Sequence, residues 1–300
     1  MASDPKCNLA HVDTVTITTD DGHQLVGQLL LPEADSEDTR AAVVLHPATG
    51  VNQHFYRKFA EHLTGRGWPT LIYDLRGSGL SEQPGDAKNK DMKMSDWILH
   101  DVPSATGWLQ ERYPDRKILA VGHSVGAHGM IATQRDTHVD AMVMVAAHAG
   151  ITRLISTFAE RLRIGAVFNV VTPLTYRFLG YVPVEKLGMG KSIPAGVMHQ
   201  WSKWTRKRGY FFDDDTLDLT QRFNQATGPL LSLVFTDDLW ANRTAVDVLT
   251  DQATQAQVEK VDVTCGKSTE NGPVGHMGFY RSANSALWPI VSDWLAAQLD

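Results

Sequence analysis

The sequence predicts an α/β fold, with a mostly parallel β-sheet that opens with an antiparallel hairpin and has helices on both faces. Two observations lead to this prediction. Short apolar runs alternate with helical patterns along most of the 300 residues, and this order favours parallel strands joined by crossover helices. The alternation stops only over residues 149–228, where no strand-like run of comparable strength occurs.

The first two strands are predicted as a hairpin. Val12, Val15 and Ile17 precede the turn sequence Asp-Asp-Gly at 20–22, and an apolar run at 25–31 follows it. A short polar turn with glycine between two such runs is typical of a hairpin. The later elements are predicted in this order: strand 41–45, helix near 52–64, strand 70–73, helix near 96–112, strand 118–121, helix from 124 to about 134, strand 141–147, strand 230–235, a helix from 241, strand 258–263 and a final helix at 283–298.

Residues 149–228 are predicted to form a helical cap inserted into the sheet domain, which then comprises residues 1–148 and 229–300. The segment is rich in aromatic residues, and Pro173, Pro183 and Pro194 divide it into short helical pieces. We expect most of the aromatic side chains to form a small core of the cap. The others are expected to cover an apolar acyl pocket.

Composition argues against several classes of protein. The chain has 28 Lys+Arg against 34 Asp+Glu, a net charge of −6, so it lacks the basic field that nucleic-acid binding requires. Its longest apolar run, 141–147, is far shorter than the roughly 20 residues that cross a bilayer. The N-terminal sequence lacks the apolar core of a secretory signal. With only Cys7 and Cys265 available for disulfides, a cytoplasmic location is expected.

The pentapeptide Gly-His-Ser-Val-Gly at 122–126 follows a predicted buried strand and precedes a predicted helix. In this context the G-x-S-x-G motif exposes a serine above the sheet, because its glycines permit a cramped turn. The simpler interpretation, a tight turn that happens to contain serine, does not explain the strand and helix on either side. Ser124 is therefore the candidate nucleophile, and the backbone N–H of Val125 is a candidate donor to an oxyanion.

A serine hydroxyl needs a base to accept its proton and an acid to orient that base. Strand 230–235 is followed by Asp237 and Asp238, and strand 258–263 is followed by a loop that contains His276. Such groups collect at the carboxyl ends of parallel strands. The order Ser, Asp, His is also the one expected for this type of sheet.

The loop after strand 41–45 should provide a second N–H for the oxyanion. It reads His-Pro-Ala-Thr-Gly at 46–50. Pro47 has no N–H, so Ala48 is the candidate donor and Thr49 is the second choice.

Four segments together resemble the α/β-hydrolase superfamily, and within it the serine-aminopeptidase-like and predicted cytoplasmic hydrolases. They are residues 47–51 with 55–57, 74–79, 122–126 and 275–281. The resemblance extends over almost the full length and implies the α/β-hydrolase fold. It also implies Ser124 as nucleophile, His276 as base and Asp238, rather than Asp237, as acid. Pro47 stands where the superfamily commonly has glycine.

Other polar residues at the predicted strand ends have simpler interpretations than metal binding or catalysis. His46, His123 and His148 are expected near strand ends that face one cleft, but their spacing is irregular and no HExxH motif accompanies them, so no metal site is predicted. Asp74 and Arg76 are expected to form an ion pair that anchors a turn rather than to act in catalysis.

The sequence thus predicts an esterase that cleaves a small-molecule ester, or a related acyl bond, through an acyl-enzyme and without a cofactor. Aminopeptidase-like amide cleavage, acyl transfer and a non-catalytic ligand receptor remain as alternatives. The cap has 11 Lys+Arg against 6 Asp+Glu, a net charge of +5 in a chain of net −6. This asymmetry suggests either a substrate with an anionic group or docking on an anionic lipid surface. The simpler alternative is a solvated helix face.

Overall fold

The computed structural model describes residues 9–33, 38–191 and 193–300. In these residues one eight-stranded sheet has the order β1-β2-β4-β3-β5-β6-β7-β8. The strands are β1 Leu9–Thr18, β2 Gln24–Pro32, β3 Ala41–His46, β4 Thr70–Tyr73, β5 Lys117–His123, β6 Ala141–Val145, β7 Gly228–Phe235 and β8 Ala256–Val263.

The direction of the strands changes only near the N-terminal side of the sheet. β1 pairs antiparallel with β2, and β2 pairs antiparallel with β4, whereas every other pair is parallel. Strands β3 and β6 are buried along their whole length, which explains why they read as continuous apolar runs. The predicted fold class is therefore confirmed.

Helices surround this sheet and cover its apolar faces. They are α1 Arg57–Thr64, α2 Met94–Asp96, α3 Val102–Arg112, α4 Val125–Thr137, α5 Phe158–Ala166, α6 Thr172–Phe178, α7 Ala195–Trp204, α8 Leu219–Gln225, α9 Arg243–Thr250 and α10 Trp288–Ala297. None of the helices in the described residues is long and apolar enough to cross a bilayer.

The segment predicted as a cap contains α5 to α8, and within its described residues no strand occurs before β7 begins at Gly228. Several of its aromatic side chains are fully buried against one another, but they belong to the same hydrophobic core as the sheet, and His128 of α4 packs against two of them, so a separate core of the cap is not observed in the described residues. These aromatic side chains are Trp204, Tyr210, Phe211 and Phe223. The division of the chain into a sheet domain and a cap domain stays a prediction.

The predicted ion pair between Asp74 and Arg76 is wrong. Asp74 instead accepts hydrogen bonds from the backbone N–H groups of Gln53 and Leu80, at 2.7 and 2.9 Å. The Arg76 guanidinium pairs with Asp101 at 2.6 Å and with Asp21 at 2.5 Å. Asp74 therefore joins the segments that precede and follow β4. Arg76 joins its own loop to the turn that contains Asp21 and to the helical segment that contains Asp101.

Candidate active site

Ser124 lies in the sharp turn between the end of β5 and the start of α4, with φ 52° and ψ −117°. Few residues other than glycine adopt a positive φ, because the Cβ atom crowds the backbone. The flanking glycines are required for a different reason. A Cβ on Gly126 would collide with the carbonyl oxygen of His46, and a Cβ on Gly122 would collide with the backbone of Ala127. The strand, the turn and the helix can therefore pack this closely only with the G-x-S-x-G pattern.

The partly exposed Ser124 precedes the first N–H groups of α4. The N–H groups in the first turn of a helix have no carbonyl partner within the helix, and the helix dipole adds positive potential there. Val125 is the first residue of α4, so its N–H has the location predicted for an oxyanion donor.

His276 and Asp238 contact each other directly. Nδ1 of His276 lies 2.8 Å from Oδ2 of Asp238, while Oδ1 of Asp238 accepts hydrogen bonds from the backbone N–H groups of Trp240 and Ala241 at 2.8 and 3.0 Å. Burial alone would raise the pKa of the Asp238 carboxyl, but the charge and hydrogen bond of His276 outweigh it and lower this pKa to about 2. An ionised Asp238 holds the proton of the imidazole on Nδ1, which leaves Nε2 as a proton acceptor.

Asp237 contacts the same loop in another way. Its carboxylate accepts hydrogen bonds from the backbone N–H groups of Val274 and Gly275, at 2.9 and 2.8 Å. These two residues immediately precede His276, so Asp237 holds the loop while Asp238 holds the imidazole ring. The sequence analysis considered Asp237 only as an alternative to Asp238 as the acid, and did not predict its role in holding the loop. The pair of adjacent carboxylates was the sequence feature that pointed to such a role.

A hydrogen-bonded chain joins the loop of Ala48 to the loop of His276. The backbone N–H of Ala48 donates to Oη of Tyr56 at 2.8 Å, Tyr56 Oη lies 2.9 Å from Nδ1 of His123, and Nε2 of His123 lies 3.0 Å from the carbonyl oxygen of His276. Because a carbonyl can only accept, Nε2 of His123 donates to it and Nδ1 accepts the Tyr56 hydroxyl proton. No local sequence pattern indicates this chain of hydrogen bonds.

This arrangement bears on the predicted second oxyanion donor. The Ala48 N–H already has a partner in Tyr56, so it can serve an oxyanion only by exchanging or sharing that partner. The N–H of Thr49, the second choice, has no hydrogen-bond partner among the described residues. The identity of this donor stays a prediction.

Three histidines predicted at strand ends are all buried. The ring centres of His123 and His148 lie 5.4 and 5.3 Å from that of His276, whereas His46 contacts Tyr73 through Nδ1 at 2.9 Å. Burial lowers the pKa of each of the three to about 3, so these rings are neutral at pH 7.

Potential metal ligands meet at another place. Within the described residues, Asp20, Asp21 and His100 form the one group of three whose ligand atoms lie within 4.8 Å of one another. This group lies at the turn between β1 and β2, where Asp20 and Asp21 are exposed. Exposed carboxylates that already pair with histidine or arginine do not by themselves indicate a metal site.

A small apolar cavity of about 10 Å³ lies close to His276, although the His276 side chain does not line it. His148 and Trp240 form one side of it, and the Trp240 ring centre lies 5.9 Å from that of His276. The remaining walls come from residues between 150 and 201, and they are Gly150, Ile151, Ile155, Ile164, Phe168 and Trp201. Its lining is apolar, as expected of a pocket for an acyl group, but its volume is that of about one water molecule, so an acyl group could enter only if the walls moved apart.

Comparison with solved structures found similar folds at low sequence identity. An esterase of Pyrococcus furiosus matches with a TM-score of 0.61 and 17% identity, over 100% of this chain and 96% of that chain. An esterase domain from a Rhodothermus marinus protein matches with a TM-score of 0.57 and 16% identity, over 97% of this chain and 100% of that chain. A dienelactone hydrolase from Anabaena variabilis matches with a TM-score of 0.56 and 16% identity, over 96% of this chain and 97% of that chain.

The comparison with curated proteins returned no match. A family model described as alpha/beta hydrolase fold matches residues 41–238, a range that begins at β3 and ends at Asp238. It includes the Ser124 turn and most of the sheet. The superfamily resemblance found in the sequence is therefore confirmed, and the chain belongs to the alpha/beta hydrolase fold family.

Proposed function

We propose that the protein hydrolyses carboxylic esters through an acyl-enzyme on Ser124. The observation that carries the proposal is the 2.8 Å contact between His276 Nδ1 and Asp238 Oδ2. In this contact Nε2, the nitrogen that accepts a proton, lies on the side of the imidazole away from the carboxylate, and His123, the residue before Ser124, contacts His276. Membership of the alpha/beta hydrolase fold family supports the same chemistry.

In the first half of the proposed reaction, Ser124 Oγ attacks the ester carbonyl carbon while Nε2 of His276 accepts the hydroxyl proton. The resulting imidazolium is stabilised by Asp238. The N–H of Val125, together with an N–H from residue 48 or 49, stabilises the oxyanion. When the tetrahedral intermediate collapses, the C–O bond to the alcohol breaks and His276 donates the proton to the departing oxygen.

In the second half, water replaces the alcohol. His276 accepts a proton from water as its oxygen attacks the acyl carbon, and the proton then passes to Ser124 as the acid product leaves. Amide cleavage and transfer of the acyl group to another alcohol or thiol would use the same groups. An ester is the favoured substrate because its carbonyl is more electrophilic than that of an amide, and because an alkoxide leaves more readily than an amide anion. The low cysteine content supports a proposed cytoplasmic location.

An active-site-directed fluorophosphonate provides the first test. We expect one equivalent to label the wild-type protein, at Ser124, and none to label Ser124→Ala. Both Ser124→Ala and His276→Ala should lower kcat for an activated short-chain ester by about 10⁴ to 10⁶, because the two residues act as a unit.

Ser268→Ala is the matched control, since Ser268 is an exposed serine in the loop between β8 and His276. Its labelling and rate should equal those of the wild type. Labelling at another residue, or more than a few per cent of the wild-type rate in Ser124→Ala, would contradict the proposed mechanism.

A further inference from the structure

The cap contains a row of exposed apolar side chains at a regular spacing along one helical segment. α5, a π-helical turn at Val167–Val171 and α6 follow one another without a break over residues 158–178. Along this length a large apolar side chain, or an alanine, recurs at every fourth position and is exposed. The row comprises Phe158, Leu162, Ala166, Val170, Leu174 and Phe178, of which Phe158 and Phe178 are 75% and 74% exposed.

Helix geometry determines how far the row turns around the helix axis. A spacing of four residues drifts by about 40° at each step of an α-helix with 3.6 residues per turn. The π-helical turn contains more residues per turn and reduces this drift at the middle of the row. The opposite face of the same helix is buried, and Ile164 and Phe168 on that face line the cavity beside His148.

Exposed apolar side chains are concentrated here. Of the nine large ones in the described residues, seven lie between 158 and 181, and only Leu80 and Leu239 lie elsewhere. Single exposed apolar residues are ordinary on a soluble protein, but a contiguous group of them marks a surface that contacts something.

The charges beside this row favour an anionic partner. Residues 153–191 contain six exposed basic side chains and only two acidic ones, Glu160 and Glu185, in a chain whose net charge is −6. The basic residues are Arg153, Arg161, Arg163, Arg177, Lys186 and Lys191. An anionic surface therefore attracts this face and repels the remainder of the molecule, which orients the protein before any contact forms.

We propose that this cap face, defined as residues 158–181 with the basic side chains of 153–191, docks on an anionic lipid surface. Aromatic and aliphatic side chains would enter the headgroup region while arginine and lysine pair with lipid phosphates, the arrangement used by interfacial helices. On the proposed function, the substrate is then an ester that resides in that lipid layer. Such an ester would enter beside the helix that contributes Ile164 and Phe168 to the wall of the small cavity next to His148, and this helix would have to move to admit an acyl group.

Vesicle binding tests the docking without reference to catalysis. We expect wild-type protein to co-sediment with phosphatidylcholine vesicles that contain phosphatidylglycerol, and much less with phosphatidylcholine alone. Binding should weaken as salt rises from 0.01 to 0.1 M, because the screening length falls from about 30 to about 10 Å. The double variant Leu162→Gln/Leu174→Gln should lower the partition coefficient by about tenfold or more.

Controls of the same kind exist elsewhere on the chain. Leu80→Gln removes a leucine that is 61% exposed and lies outside the cap, and it should leave binding within twofold. Arg177→Gln/Lys191→Gln should weaken binding, whereas Lys267→Gln, at an exposed lysine outside the cap, should not. Equal binding to the two vesicle types, or equal binding of the wild type and Leu162→Gln/Leu174→Gln, would overturn the proposal.

Rates on two substrates separate this proposal from the proposed function. For Leu162→Gln/Leu174→Gln we expect an unchanged rate on a water-soluble ester and about a tenfold loss of kcat/KM on an ester embedded in anionic vesicles. Vesicle binding without any Ser124-dependent ester hydrolysis would overturn the proposed function while the docking surface stands. Self-association that is abolished by Leu162→Gln/Leu174→Gln, without vesicle binding, would assign the cap face to a second copy of the chain and overturn the docking.

Discussion

Two neighbouring carboxylates, Asp237 and Asp238, contact one loop in different ways. Asp238 binds the imidazole of His276, whereas Asp237 binds the backbone N–H groups of Val274 and Gly275. Their side chains diverge at the end of β7, so each reaches a different part of the loop. Only Asp238 can therefore influence the proton on His276 directly, while Asp237 determines where that residue lies.

Substitution by asparagine should distinguish these roles. Asp238→Asn removes the charge that stabilises the imidazolium and can hold the wrong tautomer, so we expect kcat to fall by about 10⁴. Asp237→Asn keeps one acceptor oxygen for two N–H donors, and we expect a several-fold loss with a lower melting temperature. Rates and thermal unfolding of both variants provide the measurement, and the reverse ranking of rates would make Asp237 the acid.

At the scale of residues, the sequence was sufficient to predict candidate site residues that lie in a recognisable motif or directly after a strand. Ser124, His276 and Asp238 belong to this class. The contact between Tyr56 and His123 could not be predicted, because it joins side chains 67 positions apart through a packing geometry that no local pattern records. The hydrogen bond from the Ala48 N–H to Tyr56 likewise explains why the choice of Ala48 as donor could not be judged from the absence of an N–H on Pro47 alone.

At the scale of elements, the turn between β5 and α4 is restricted more by its glycines than by its serine. Alanine in a helix is ordinarily favoured over glycine by about 1 kcal/mol. Gly126 lies in the first turn of α4, where a Cβ would meet the carbonyl oxygen of His46. Gly107 lies inside α3, where a Cβ would meet nothing within 4 Å.

These two glycines make a matched pair for a stability measurement. We expect Gly107→Ala to raise the free energy of unfolding by about 1 kcal/mol. Gly126→Ala should lower it by about 1 to 3 kcal/mol, because a close-packed backbone must move, and should also reduce activity. Urea unfolding of both variants tests this, and equal stabilisation of the two would mean that β3 yields to the added methyl group without cost.

Most elements were predicted from apolar periodicity, but their ends and their irregular turns were not. The predicted helix near 96–112 is divided, since a π-helical turn at Trp97–Asp101 separates α2 from α3. The predicted helix at 283–298 begins as tight turns, and α10 starts only at Trp288, with Pro289 in its first turn. Proline favours that position because it has no N–H to leave unpaired. Periodicity alone distinguishes these turns poorly from an α-helix.

At the scale of the whole molecule, four buried histidines couple the fold to pH. Burial lowers the pKa of His46, His123 and His148 to about 3 and that of His128 to about 4. An unfolded chain titrates these groups near 6.5. Below pH 6.5 the unfolded state therefore binds protons that the folded state excludes, and stability falls as the pH falls.

We expect the free energy of unfolding to be constant above about pH 7 and to fall by about 1.4 kcal/mol per pH unit for each such histidine below 6.5, until the folded-state values near 3 to 4 are reached. Asp238, whose folded pKa is about 2, also makes the free energy of unfolding fall as the pH falls, but only below about pH 4. Urea unfolding between pH 8 and 4.5 measures the slope, and His46→Gln should make it shallower. A stability that does not change between pH 7 and 5 would contradict this account.

The position of β8 at the end of the strand order leaves its outer hydrogen-bonding edge without a neighbouring strand from the described part of the chain. Gln257, Glu259, Lys260 and Asp262 are exposed along it, and Lys260 and Asp262 already pair with Asp247 and Arg243 of the adjacent helix α9. A strand from another molecule could extend the sheet here only by desolvating these charges and disturbing those pairs. The edge is thus protected against intermolecular β-aggregation at high concentration by the charged residues of the same strand whose Val258 and Val261 pack against the core.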